Sequence, residues 1–425
     1  MTPNDDRSGV DLLRPLRDTL TDDGPPAHFD VTTAIRRGDT IRHRRIAIGV
    51  FTAVAAIGVA TGVTLGIGSD HSLAPPATRV TPTPTSVRPT PKLSPTVDPT
   101  LPPAGTLPIA NCQTTRLTAP SRAGAFTTWA NGHLDPTGRY LAVTLIKPFL
   151  ASQTDYLPGK PLLVDLQTHQ MTLLPVDEGN ADGVTSSGEV IGDSNNGAVG
   201  WLYRNGHLSP LPKFKGSPVV PTAINNNGDM VGQAEVGGIG IPVIITAAQP
   251  GVVTELQPKG VFVDAISDTG AIGGSFNNAP YVGDGKGNGQ TLDTGASDPQ
   301  GVVYQIRGNY ALGDGSAVSN QGLYPKVWNL TTGEPTLYPM VNLAAIATDG
   351  TVAGDTDTGI PDATRFALIG HDGALQRLPS DASGNYQIHV YDISADGHVV
   401  YAARHVAPGA VGTGPISMVG VVWHC

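Results

Sequence analysis

From residue 112 onward, short apolar runs alternate with polar stretches that carry a glycine. Residues 223–233, AINNNGDMVGQ, show the pattern: an apolar pair, three asparagines, a glycine and a second apolar pair. The shape recurs as GVTSSGEVIGD around Gly188, AISDTGAIGGS around Gly270, AIATDGTVAGD around Gly350 and DISADGHVVYA around Gly397. HLDPTGRYLAV centres a related form on Gly138, and YQIRGNYALGD puts Asn309 at the turn. Four residues before these anchors stand Leu134, Val184, Ile224, Ile266, Ile346 and Ile393, with Gln305 the exception. Four residues after come Gly192, Gly232, Gly274, Gly313 and Gly354, with Ala142 and Tyr401 in the remaining two units. A polar turn whose glycine can take positive φ, flanked by apolar runs, predicts a hairpin.

A second hairpin runs through the other half of each unit. PLLVDLQTHQMTLLP, GWLYRNGHLSPLP, KVWNLTTGEPTLYP and RFALIGHDGALQRLP each hold two apolar runs around a polar turn, and Asn205-Gly206 and Asp372-Gly373 suit type I′ turns. Each ends in an apolar residue followed by proline, which stops a strand. Four short antiparallel strands in about 40 residues match one propeller blade. The expected fold is all-β: a seven-bladed β-propeller over 110–425, with six or eight blades as alternatives. A closed ring buries the face that each blade would otherwise leave wet.

The front of the chain is patterned differently. Residues 46–68, IAIGVFTAVAAIGVATGVTLGIG, carry no charge and are long enough as a helix to cross a bilayer. Arg36, Arg37, Arg42, Arg44 and Arg45 precede them, and the next basic residue is Arg79. That asymmetry predicts a single-pass membrane protein with a cytoplasmic tail (1–45) and everything past the span outside the cell. Residues 69–109 are rich in proline and threonine and read as an extended extracellular linker whose threonines are open to glycosylation. The two cysteines, Cys112 and Cys425, bracket the repeat region, and an oxidising exterior predicts a disulfide joining its ends.

AINNNGDMVGQ and AISDTGAIGGS resemble the HAF-type extracellular repeats, with their Ile-Asn-x-x-Gly-x-(Val)-Val-Gly pattern, and LDPTGRYLAV is similar to TolB-like or WD40-like blades. The resemblance covers about residues 112–425 and implies the fold, not an activity. PPAHFDVTTAIRRGDTIRHRR followed by the apolar span is similar to the layout of many actinobacterial single-pass proteins. Some of those are encoded with sigma-factor systems, which implies a regulatory option.

Composition narrows the function classes. The net charge of −10 argues against nucleic acid as a partner. No H-E-x-x-H motif, no closely spaced histidine pair on one predicted element and no G-x-S-x-G elbow is present, and no catalytic residue, metal or cofactor is assigned. Two polar loops offer partial calcium-like spacing: Asp355, Asp357 and Asp362, and Asp284, Asn288 and Asp293. The first lacks a third alternating ligand, and the second has Lys286 in a ligand place. His398, just past a turn glycine, reads as a solvated hairpin residue. The residues following the strand glycines, Asp193, Gln233, Ser275, Asp314 and Asp355, are the candidate ligand-binding set; alternatively they satisfy backbone donors. The expected function is non-catalytic binding of a surface protein or cell-wall glycan. The alternatives are a carboxylate-dependent lyase or glycosidase, and a transmembrane regulator coupling the propeller to the tail.

Overall fold

The computed structural model describes residues 107–149, 159–194, 197–295, 300–316, 323–338, 342–355, 366–379, 388–406 and 416–425. The tail, the 46–68 span and the linker to residue 106 lie outside them. Among the described residues no helix is long and apolar enough to cross a membrane.

The strands form seven four-stranded antiparallel sheets, the seven blades expected from the repeat. The first strands of blades 1 to 7 are Thr128–Leu134, Gly179–Val184, Val219–Ile224, Val261–Ile266, Gly301–Arg307, Asn342–Ile346 and Ile388–Ile393. Each touches the first strand of the next blade, and the seventh touches the first, so these strands ring the axis. Seven hydrophobic clusters fill the structure, one for each pair of neighbouring blades. A single blade has no core of its own. Burial of its faces comes from its neighbours, which is why the apolar runs need a closed ring.

The last blade is built from both ends of the repeat region. Gln113–Leu117 pairs with Met418–His424, outside Val399–His405 and Ile388–Ile393. Cys112 and Cys425 flank this pair and are joined in a disulfide. Just upstream, Ala110 donates to the Arg377 carbonyl and Arg377 to the Pro108 carbonyl, so the incoming chain also lies along the edge of blade 6.

Every first strand is irregular. In blades 2 to 7 one residue drops out of the ladder with the second strand: Asp182, Thr222, Asp264, Tyr304, Ala344 and Tyr391. In blade 1 the irregularity spans Ala130 and Asn131. These β-bulges explain the repeated strand glycine. The carbonyl two residues before the bulge lies so close to that glycine that an added Cβ would stand 2.0 Å from the Asn180 oxygen at Gly192 and 1.8 Å from the Phe262 oxygen at Gly274.

Spacing from the turn glycine misplaces three units. Blades 1 and 7 carry one more residue between turn and second strand, so Val143 and Ala402, not Ala142 and Tyr401, stand opposite the bulge region. Blade 5 turns on two residues, Gly308 and Asn309, so its apolar slot belongs to the buried Ile306. Gln305, the apparent exception, occupies the position just before it.

The other hairpins form as expected. Asn205 and Gly206 have φ of 52° and 82°, Asp372 and Gly373 of 49° and 79°. The apolar residues before the strand-stopping prolines, Leu174, Leu211, Tyr338 and Leu378, are buried between blades.

Candidate functional site: the axial channel

The first strands are edge strands, and their open edges face the axis. Their bulge residues are all half-buried, although most of their strand neighbours are buried. Water therefore reaches the centre of the ring, and the residues it meets at this level are Asn131, Asp182, Thr222, Asp264, Tyr304 and Tyr391, with the small Ala130 and Ala344. Two of these hold the next blade: Thr222 Oγ1 donates to the Val263 carbonyl at 3.1 Å and Tyr304 Oη to the Leu343 carbonyl at 2.9 Å. Asp264 occupies the equivalent place in blade 4. Burial alone pushes its carboxyl up to about 8, so it is largely a neutral acid at pH 7.

The position one step before the last apolar residue of each first strand is filled by Gly183, Ala223, Ala265 or Ala345 in four blades. His133, Gln305 and Asp392 take it in blades 1, 5 and 7. Gln305 Nε2 donates across the axis to Asp392 Oδ1 at 3.1 Å, while its Oε1 accepts from the Ile346 amide at 2.7 Å. Asp392 Oδ2 accepts from the Leu134 amide at 2.8 Å, and Arg307 stands 3.9 Å from Oδ1. His133 is held below its usual pKa by desolvation, an effect that Asp392 opposes and Arg307 reinforces. Four of the seven blades are thus tied across the axis toward the glycine-turn face. These side chains narrow the axis there. Sequence reasoning missed these residues, yet a signal existed: three large polar side chains stand where sister repeats carry Gly or Ala.

The candidate set from the sequence sits elsewhere. Asp193, Gln233 and Asp355 are buried, and Ser275 and Asp314 half-buried, on second strands. Asp355 Oδ2 accepts from the Val390 amide of blade 7 at 3.2 Å and Oδ1 from Asn342 Nδ2 at 2.7 Å. Thr144, the blade 1 counterpart, accepts from the Ala181 amide of blade 2 at 3.0 Å. Both side chains reach the following blade.

The glycine turns form a linked collar. Asn225 donates to the Ser267 carbonyl, Asn226 accepts from the Ser186 amide, and Asp268 accepts from both the amide and Nδ2 of Asn226. Thr348 and Ala395 pass the chain on by backbone bonds from blade 6 to blade 7 and to Pro136 of blade 1.

Asp284 accepts from its own loop, from the Lys286 and Asn288 amides and Asn288 Nδ2, which holds its pKa down. Asp357 and Asp362 lie outside the described residues. Among the described residues no group of three His, Cys, Asp or Glu side chains could hold a metal ion. His398 is exposed on its hairpin. A cleft of about 350 Å³ on the outer side of blades 2 and 3 is lined by apolar residues, Leu202, Pro210 and Pro250 among them, and by the polar Arg204, His207 and Ser209.

No family model and no curated protein matches this chain. Solved propellers do match. Virginiamycin B lyase from Staphylococcus aureus is 16% identical, covering 73% of this chain and 99% of its own, with a TM-score of 0.45. The propeller domain of the Trilobed protease from Pyrococcus furiosus is 12% identical over 70% and 95%, TM-score 0.49. Oligogalacturonate lyase from Vibrio parahaemolyticus is 9% identical over 75% and 98%, TM-score 0.49. Likenesses this distant carry no argument about activity; the seven four-stranded sheets and their ring of contacts make the chain a seven-bladed β-propeller.

Proposed function

We propose that this chain is a membrane-anchored, extracellular propeller that binds a cell-wall glycan or surface protein without transforming it. The observation that carries the reading is the axial channel: water-accessible, lined by amide, hydroxyl, carboxyl and aromatic groups, and constricted at one end. Mixed polar and aromatic linings of this kind suit recognition of a polar ligand. The anchor rests on the uncharged 46–68 span and the arginines before it. The disulfide and the resemblance to HAF-type extracellular repeats agree with an exterior location.

The test is retention of the purified full-length chain, in detergent, on cell-wall fractions and on immobilised surface proteins. Saturable retention supports binding. Absence of retention on either, with the ring intact by circular dichroism, rejects it; turnover of a retained glycan moves the assignment to a lyase or glycosidase. Protease added to intact cells should cut the 69–109 linker and release the propeller. Protection of the linker would overturn the orientation.

A further inference from the structure

We propose that residues 100–104 of one copy of this chain dock in the outer cleft between blades 2 and 3 of a second copy, adding an extended strand to the edge His207–Pro210. This goes beyond the ligand-binding reading and does not depend on it.

The same contact is already built once, on blade 6. There residues 107–110 run parallel to Ala374–Arg377: the Arg377 N–H donates to the Pro108 carbonyl at 2.8 Å, and the Ala110 N–H to the Arg377 carbonyl at 2.9 Å. Ala110 is buried with Leu378 and Trp423 in the seam between blades 6 and 7, while Pro108 and Ile109 stay exposed. The docked segment reads Thr106-Leu107-Pro108-Ile109-Ala110, and six residues upstream the chain reads Thr100-Leu101-Pro102-Pro103-Ala104. The N–H that the docked segment gives to the edge is that of Ala110. Its counterpart Ala104 keeps that donor, and the proline at 103 forfeits no bond.

Blade 2 offers a matching edge. Its hairpin aligns with that of blade 6, so Pro210, Leu211 and Pro212 stand where blade 6 has Arg377, Leu378 and Pro379. His207–Pro210 is the last strand of its sheet and is exposed throughout, and Leu208 is one of the exposed large apolar residues. Ala110 fills the seam beside Leu378, whereas beside Leu211 the cleft of about 350 Å³ lies open. Pro210 has no N–H to give. Pairing therefore moves two residues back to Leu208, whose N–H and carbonyl point outward by the alternation of the ladder. A sheet edge with a pocket beside it is what recognition by strand addition requires.

The occupant must come from another copy. Ala104 is three residues from the docked Leu107, a span of about 11 Å at most. Blades 2 and 6 are three blades apart, roughly 30 Å at about 10 Å per packed sheet. Copies anchored in one membrane would meet at raised effective concentration.

The experiment is disulfide trapping between two differently tagged full-length chains produced together, Ala104→Cys in one and Ser209→Cys in the other, with linked peptides mapped by mass spectrometry. A link between chains from 104 to 209 is expected. Gln290→Cys, at the matching edge position of blade 4, should link about tenfold less, and so should Thr90→Cys, in the linker outside the motif. Leu208→Pro, added to the Ser209→Cys chain, removes the outward N–H but no ladder bond and should cut the link about tenfold, with circular dichroism unchanged. If that variant does not fold, the comparison of positions 90 and 104, made outside the ring, decides. Equal linking at blades 2 and 4, equal linking from 90 and 104, or linking that ignores Leu208→Pro in a folded chain overturns the proposal. A link from 104 to 209 within one chain carrying both substitutions, in excess unsubstituted chain, overturns the exchange between copies.

Discussion

At the scale of single residues, the axis concentrates ionisable groups under unusual solvation. Asp264 binds its proton more tightly folded than unfolded, so stability declines as pH rises from about 4 toward 8 and is level above. Asp264→Asn should therefore raise stability by ~3–5 kcal/mol above pH 8 and leave it unchanged below pH 4, read from urea midpoints across pH. His133 works from the other side. Its folded pKa lies below 6.5, so the unfolded chain takes up protons first and stability falls as pH drops through that value. His133→Gln should flatten this acid limb. The strand glycines make a steric prediction: Gly274→Ala puts a methyl 1.8 Å from the Phe262 oxygen and should cost about 2–4 kcal/mol, measured by thermal unfolding.

At the scale of elements, the turns were legible and the bulges were not. A glycine after three small polar residues announces a tight turn whichever side chains precede it, and Gly188, Gly228, Gly270, Gly350 and Gly397 all have φ between 78° and 91°. The bulge leaves no comparable mark on the first strand, because the extra residue can be Asp, Thr, Tyr or Ala. Its imprint lies on the partner strand, as the glycine that makes room for a carbonyl. Fixed spacing from the turn fails where a turn gains or loses a residue, which is how Gln305 came to look like a faulty apolar slot. The cross-axis constriction was hidden for another reason: Gln305 and Asp392 are 87 residues apart and meet only through closure. The asparagines of AINNNGDMVGQ gained a function no turn rule supplies, since they bond to the turns on either side. Asp268→Ala removes two contacts of Asn226 and should cost ~1–3 kcal/mol, with faster amide exchange at the turns of blades 3 and 4.

At the scale of the molecule, stability belongs to the ring. Each hydrophobic cluster is shared by two blades, so opening one seam exposes two apolar faces. The disulfide closes a separation of 313 residues, and in the chain-entropy model that contributes roughly 5 kcal/mol. Reduction, or Cys112→Ser with Cys425→Ser, should lower the unfolding midpoint. Amide protection should be lost first in Gln113–Leu117 and Met418–His424. Uniform loss across all blades would show that the seam is not the weak point. The polar links run both ways around the ring. Thr144, Thr222, Tyr304, Gln305, Asp355 and Asp392 each hold the blade that follows, whereas Asn226, Lys326, Trp328 and Trp423 reach back to the one before.

The position of the clasp has a mechanical consequence. Any pull arriving from upstream of residue 107 runs along the edge of blade 6 and reaches Cys112 before it reaches a hydrogen bond of blade 7. There the load crosses to Cys425 and the strand behind it. Without that crossing, traction would open the outer strand like a zipper, one pair at a time. With it, the tension bypasses the outermost strand and bears on a buried one, so the ring is armoured against a load applied through the segment that leads into it.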